Sequence, residues 1–213
     1  MTSADLGLRA RKKQQTRDNI SHHATLLFLE HGFDKVTIAD VAAAAQVAKM
    51  TVTNYFPRKE DLALDLHDVF VDQLARTVRE REHGESALTA LRRAYLDAVA
   101  RHDPVVGFSG PEFARMITDS PALVARLREF HDEREQALAT ALADETSCAA
   151  TEITPRVVAA LLGGVHRVLF DETLRRTLDG QSNDDIATAL TAYIGTAFDT
   201  LEQAIGDYAV RGD

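Results

Sequence analysis

Apolar residues recur along this chain at three- and four-residue intervals, and strict alternation never lasts long enough to make a half-buried strand. The pattern predicts an all-helical protein of about nine helices. The first runs from about residue 11 to His31, with Ile20, Ala24, Leu27 and Phe28 on one side. Gly32 and Phe33 then form a stop, because glycine takes the left-handed conformation that ends a helix and the next side chain packs back on it. In "VTIADVA" Thr37 is the N-cap, Asp40 its box partner, and Val36 and Val41 the apolar staple around the start. This second helix ends near Ala45, and Gln46 and Val47 link it to a third with Lys49, Thr51, Thr53, Asn54 and Tyr55 outward and Val52 and Phe56 inward. Pro57 breaks that helix, and "RKEDL" opens a fourth whose Leu62, Leu66, Val69, Phe70 and Leu74 form a long apolar stripe.

Further helical segments are expected near 86–102, 111–118, 120–144, 155–178 and 183–207, punctuated by Pro104, Pro111, Pro121 and Pro155. The last repeats Ile186, Leu190, Tyr193, Ile194, Ala197, Leu201 and Ile205 at helical spacing, an apolar face wider than one internal neighbour needs. In "ALLGGVHRVLF", Gly163 and Gly164 lie inside an apolar helix, where each costs about 1 kcal/mol against alanine unless backbones approach closely.

A chain of 213 residues with 45% hydrophobic content holds one large or two modest cores and is globular rather than disordered. Cys148 stands alone, so no internal disulfide forms and a reducing compartment is the expected home. With no signal-peptide core and no apolar stretch of membrane length, the expectation is a cytoplasmic protein without a membrane partner. Charge is more telling in its distribution than in its sum of −9. Residues 1 to 60 hold nine Lys/Arg against six Asp/Glu, leaving +3 there and −12 over the remainder, and all five lysines fall in that first part. A polyanion is drawn to that end and repelled by the rest. A basic head by itself fits a solvated face equally well.

The motif decides between those readings. A short helix, a tight turn and a second helix rich in hydrogen-bonding side chains is what entry into the DNA major groove requires. Asn54 can bond adenine at two atoms, Lys49 can reach guanine acceptors, and the methyls of Met50, Thr51 and Thr53 can touch thymine. Tyr55, Lys59 and Thr37 suit phosphate contacts. A basic arm of Arg9, Arg11, Lys12 and Lys13 adds attraction without sequence information.

Residues 16 to 66, from "TRDNISHHATLLFLEHGFDKVTIADVAAAA" through "QVAKMTVTNYFPRKEDLALDL", resemble the DNA-binding domain of the TetR family of transcriptional repressors. The resemblance rests on the Gly-Phe after the first helix, the Thr-capped second helix, the Tyr-Phe ending the third and the Lys-Glu-Asp-Leu opening the fourth. It implies a three-helix helix-turn-helix domain, residues 1–61, and a helical ligand-binding and dimerisation domain, residues 62–213. It further implies a homodimer on a palindromic operator, released by a small-molecule effector, with no cofactor. The chain departs from the family pattern at Gln46, where glycine is common, at Ala48, where a hydroxyl cap is common, and at His23, Met50, Thr53 and Arg58.

Within the second domain, a two-fold seam is expected from Leu161, Gly164 and Val165 on one helix and Ile186, Leu190, Tyr193, Ile194, Ala197 and Leu201 on the next. Polar residues on otherwise apolar faces, Tyr95, His102, His131, Arg134 and His166, are candidates for an effector pocket, with Phe108, Phe113, Met116 and Phe170 as its wall. Residue by residue, a lone histidine on a helix is more often a core or rim residue than a ligand contact. A metal-binding helical enzyme built on "HDERE" at 131–135 with His102 or His166 is the weaker alternative, because the His-Glu-x-x-His spacing is missing. Neither a nucleophile elbow around Ser109 nor a glycine-rich phosphate loop is present, so no catalytic residue is assigned. A third reading is a helical adaptor that binds protein through its first domain.

Overall fold

The computed structural model describes residues 3–148 and 152–212, with side chains from residue 11 onward. Every regular element among the described residues is helical. In chain order the helices are α1 (Ser3–His31), α2 (Ile38–Ala44), α3 (Lys49–Tyr55), α4 (Lys59–Ala63), α5 (His67–Arg79), α6 (Ala87–Ala100), α7 (Pro111–Asp119), α8 (Pro121–Glu145), α9 (Thr154–Leu178) and α10 (Asn183–Ile205). Short 3-10 turns occupy Phe33–Lys35 and Pro104–Val106. The single fourth helix expected from the pattern is two helices. Leu64 leaves helical geometry at φ −106°, ψ 54°, so Leu66 and Val69 fall off the buried stripe and are exposed. Likewise α1 starts at Ser3, which puts Arg11, Lys12 and Lys13 on a helix rather than an arm; the side chain of Arg9 lies outside the described residues. None of the described helices is long and apolar enough to cross a membrane.

The chain divides into two units, residues 1–65 with 115–126, and residues 66–114 with 127–213. In the first, α1 supplies Ile20, Ala24 and Phe28 to a core completed by Phe33, Val36, Val41, Val52, Phe56 and Leu62. Phe28 and Phe33 meet at 5.1 Å, the stop after α1 packing back as its sequence requires. Polar clamps close the unit. Asn19 Nδ2 donates to the Ala45 carbonyl at 3.0 Å, and Arg17 donates to the Asp65 carbonyl at 2.8 Å while lying over the Phe56 ring. Arg126 Nε donates to Asp61 Oδ1 at 2.8 Å, tying the start of α8 to α4.

The second unit is a helical layer around Leu74, Leu88, Leu91, Val99, Leu138, Leu162, Leu190, Ile194 and Phe198. Caps place its helices: Ser86 accepts from the Thr89 amide, Asp103 from that of Val105 and Ser182 from that of Asp185. At Gly107, φ is +104° and a Cβ would stand 2.8 Å from Thr173 Cβ, so a side chain there would both strain the turn and push α9 away. The fully buried Arg81 joins the chain's end to this unit, donating to Ala209 O at 3.0 Å and to Glu145 Oε2 at 2.6 Å.

Candidate nucleic-acid interface and buried polar cluster

The helix-turn-helix is built by α2 and α3. Thr37 and Asp40 form the reciprocal capping box that starts α2: the Asp40 amide donates to Thr37 Oγ1 at 3.3 Å and the Thr37 amide donates to Asp40 Oδ2 at 2.8 Å. At its other end Val47 N–H reaches Ala42 O (2.9 Å) and Gln46 N–H reaches Ala43 O (3.2 Å), a closure that holds Gln46 at φ +55°. α3 then presents two faces. Val52 and Phe56 are buried, while Lys49, Met50 (70% exposed) and Asn54 lie in the open and Thr51, Thr53 and Tyr55 are half-exposed. Among the described residues Asn54 makes no side-chain hydrogen bond within the chain, so both halves of its amide are available. Thr53 Oγ1 donates back to Met50 O at 3.1 Å, which leaves its methyl and lone pairs outward.

Lys59 and Thr37, both expected at phosphate, also have partners within the chain. Lys59 Nζ donates to Phe33 O at 2.9 Å and Val36 O at 3.2 Å and sits 4.1 Å from the Phe33 ring centroid, so it braces the turn before α2 and keeps at most one N–H for a phosphate. The Thr37 hydroxyl donates to Asp40 Oδ2 at 2.7 Å, and the hydrogen bonds from Thr37 hold the Asp40 carboxyl below its ordinary range, keeping a negative charge beside it.

A second concentration of unusual groups lies in the core of the other unit. Tyr95 of α6, Arg134 and His131 of α8 and His166 of α9 are 2%, 2%, 7% and 2% exposed. Tyr95 and His166 meet edge to face at 4.5 Å, and His131 packs against Phe70 and Phe170 at 5.1 and 5.4 Å. Arg134 lies 4.3 Å over Phe70, and an Nη2 proton reaches His131 Nδ1 at 2.9 Å. Tyr95 Oη, His131 Nε2, Arg134 Nε and both nitrogens of His166 find no partner among the described residues. Burial, reinforced by the Arg134 and Arg167 charges, pulls His131 down to about 3, and burial with the Arg134 charge pulls His166 well below its ordinary value. Burial also pushes Tyr95 up and brings Arg134 down to about 10. At neutral pH the cluster therefore holds two neutral imidazoles, a protonated phenol and one guanidinium.

Other expected pocket residues go elsewhere. His102 terminates α6 at φ +51°, with Asp103 N–H reaching Ala98 O at 3.0 Å, and its ring lies 5.0 Å from that of Phe108, so its place is explained by the turn. Phe113 belongs to the second unit and Met116 to the first, so neither unit holds both. On α9, Val157, Leu161, Gly164 and Val168 follow one another at helical spacing along an exposed face, and a Cβ on Gly164 would meet nothing within 4 Å. Tyr193 of α10 is also exposed, with Ala197, Leu201 and Val165 half-buried. Ile186, Leu190 and Ile194 are instead 0% exposed within their own chain, which removes them from the expected dimer seam.

Comparison with known proteins bears on both units. Residues 20–66 match the model for bacterial regulatory proteins of the tetR family, and residues 85–206, more than half the chain, match that for the MftR C-terminal domain. The chain belongs to the TetR family. It is 27% identical over 201 residues to the HTH-type transcriptional regulator TcmR of Streptomyces glaucescens, covering 92% of this chain and 86% of that protein. It is 26% identical over 191 residues to the putative mycofactocin biosynthesis transcriptional regulator MftR of Mycobacterium tuberculosis, covering 90% and 91%. A putative TetR-family regulator from Syntrophomonas wolfei shares its fold, with a TM-score of 0.58, 16% identity and coverage of 87% and 95%. As a TetR-family member this protein is a DNA-binding transcriptional regulator and not an enzyme. Among the described residues of this TetR-family chain no group of three metal-binding side chains assembles, and His131 of "HDERE" is enclosed by aromatic rings. The sequence marks Arg134 as a polar residue on an apolar face, but its lack of a carboxylate partner becomes visible only in three dimensions.

Proposed function

We propose that this regulator binds a palindromic operator as a homodimer and represses until a small organic effector releases it. The observation that carries the reading is the division of α3 into a buried face, Val52 and Phe56, and an open face, Lys49, Met50, Thr51 and Asn54. In this reading Lys49 and Asn54 read base edges, the methyls of Met50, Thr51 and Thr53 meet thymine, and Tyr55 contacts phosphate. Two such helices spaced about 34–36 Å apart match successive major grooves, which is the reason for two subunits. The exposed stripe on α9, with Tyr193 and Ala197 of α10, supports a two-fold seam.

Effector control follows from the same reading. The chain passes between the two units after residues 65, 114 and 126, and α8 carries both Arg126, bonded to Asp61, and Arg134 of the buried cluster. An effector that favours one subunit arrangement over the other, with a coupling of about 1–3 kcal/mol, changes operator affinity roughly 5- to 150-fold. Selection of bound duplexes from a random pool tests the reading. The expected product is a two-fold symmetric site; an unenriched pool at low salt would remove it.

A further inference from the structure

The buried cluster of Tyr95, His131, Arg134 and His166 is rich in donors and poor in acceptors. Because His131 Nδ1 accepts from Arg134, its unpartnered Nε2 carries the proton; Tyr95 Oη–H, Arg134 Nε–H and the N–H of His166 are also without acceptors. Arg134 is the only full charge in this set of four, and among the described residues it has no ion pair; Asp171, whose charge is felt at Tyr95, is exposed and does not bond it. A buried guanidinium without a counter-ion is strongly disfavoured, and the face of Phe70 and a neutral imidazole compensate it only in part. Around these donors stand the rings of Phe70, Phe170 and Phe198, the last 6.0 Å from His166.

The geometry points to an organic acid as the effector: an apolar, ring-bearing body with one carboxylate or ionised phenol or enol that pairs with Arg134. This rests on the effector reading given under Proposed function and narrows its chemistry. The acid supplies the missing counter-charge, Tyr95 and His131 donate to its oxygens, and the aromatic rings hold the body. Arg134 is then kept for the ligand at the expense of the ligand-free protein, a common compromise at binding sites.

Two measurements on the full-length chain decide it. In the first, thermal unfolding without ligand, Arg134→Met is expected to raise Tm by about 2–4 °C, since it removes an unpaired buried charge and keeps the side chain's bulk. In the second, isothermal calorimetry at neutral pH compares 1-naphthoate with 1-naphthamide and decanoate with decanamide. The acids are expected to bind wild type at least about tenfold more tightly than the amides; Arg134→Met abolishes that preference, and Arg134→Lys keeps it at lower affinity. Equal binding of acid and amide overturns the acid while leaving an effector site in place. A fall in Tm for ligand-free Arg134→Met, or silence from all four compounds, overturns the assignment, the first by showing Arg134 to be a structural brace.

Discussion

Gln46 sits at φ +55°, where a side chain costs about 1 kcal/mol that glycine avoids, and Ala48 starts α3 without a side-chain cap. Gln46→Gly is therefore expected to stabilise the chain by roughly 0.5–1 kcal/mol and Ala48→Ser by about 1 kcal/mol, read as higher urea midpoints with unchanged slope. Lys59 carries a different expectation from the one its sequence context implies. With its ammonium bonded to two carbonyls, Lys59→Met should lower stability by about 1–2 kcal/mol, in addition to any effect on DNA. Asn54→Ala should leave stability unchanged and weaken the selected operator by about 1–3 kcal/mol per half-site in titrations against matched and scrambled duplexes. Equal losses on both duplexes would exclude base reading by Asn54.

At the scale of helices, α9 and α10 show how periodicity marks a face without saying what it faces. Ile186, Leu190 and Ile194 look inward to α6 and α9, whereas Val157, Leu161, Gly164 and Val168 line an exposed stripe on α9. Leu161→Glu combined with Val168→Glu should leave each chain folded by circular dichroism, since both side chains are exposed, and yield monomers in equilibrium sedimentation. A double variant that remains dimeric would move the seam elsewhere. The break at Leu64 has a similar lesson for the expected fourth helix. Two helices, α4 and α5, joined at Leu64 to Leu66, stand where the pattern predicted one.

For the whole molecule, stability should depend on pH through its buried imidazoles. His131 and His166 have folded pKa values pulled below the ordinary 6.5, so their stabilising contribution is complete above that pH and is lost as pH falls. His67 is opposite in sign: burial lowers it, but hydrogen bonds to Glu133 and Asp68 outweigh burial and raise it, so its contribution is complete below 6.5 and lost as pH rises above. Between pH 6.5 and 5 the two buried imidazoles act together. Each contributes up to about 1.4 kcal/mol per pH unit, and unfolding free energy from urea titrations should fall by roughly 2–3 kcal/mol per unit. His166→Phe should about halve that slope; an unchanged slope would show that His166 is not held neutral by the fold.

What the chain determines by itself is local. The capping box of Thr37 and Asp40, the stop at Gly32, the inward Val52 and Phe56 and the outward Asn54 all follow from backbone geometry and helical period, which act over a few residues. Tertiary structure decided the rest, because it depends on groups far apart in sequence. Lys59 finds its acceptors 26 and 23 residues earlier. Ile186 is hidden by helices whose positions no period encodes. Arg134 is set apart only when α5, α6 and α9 surround it without a carboxylate, for a charge is stable or strained according to what the fold brings within a few ångströms of it.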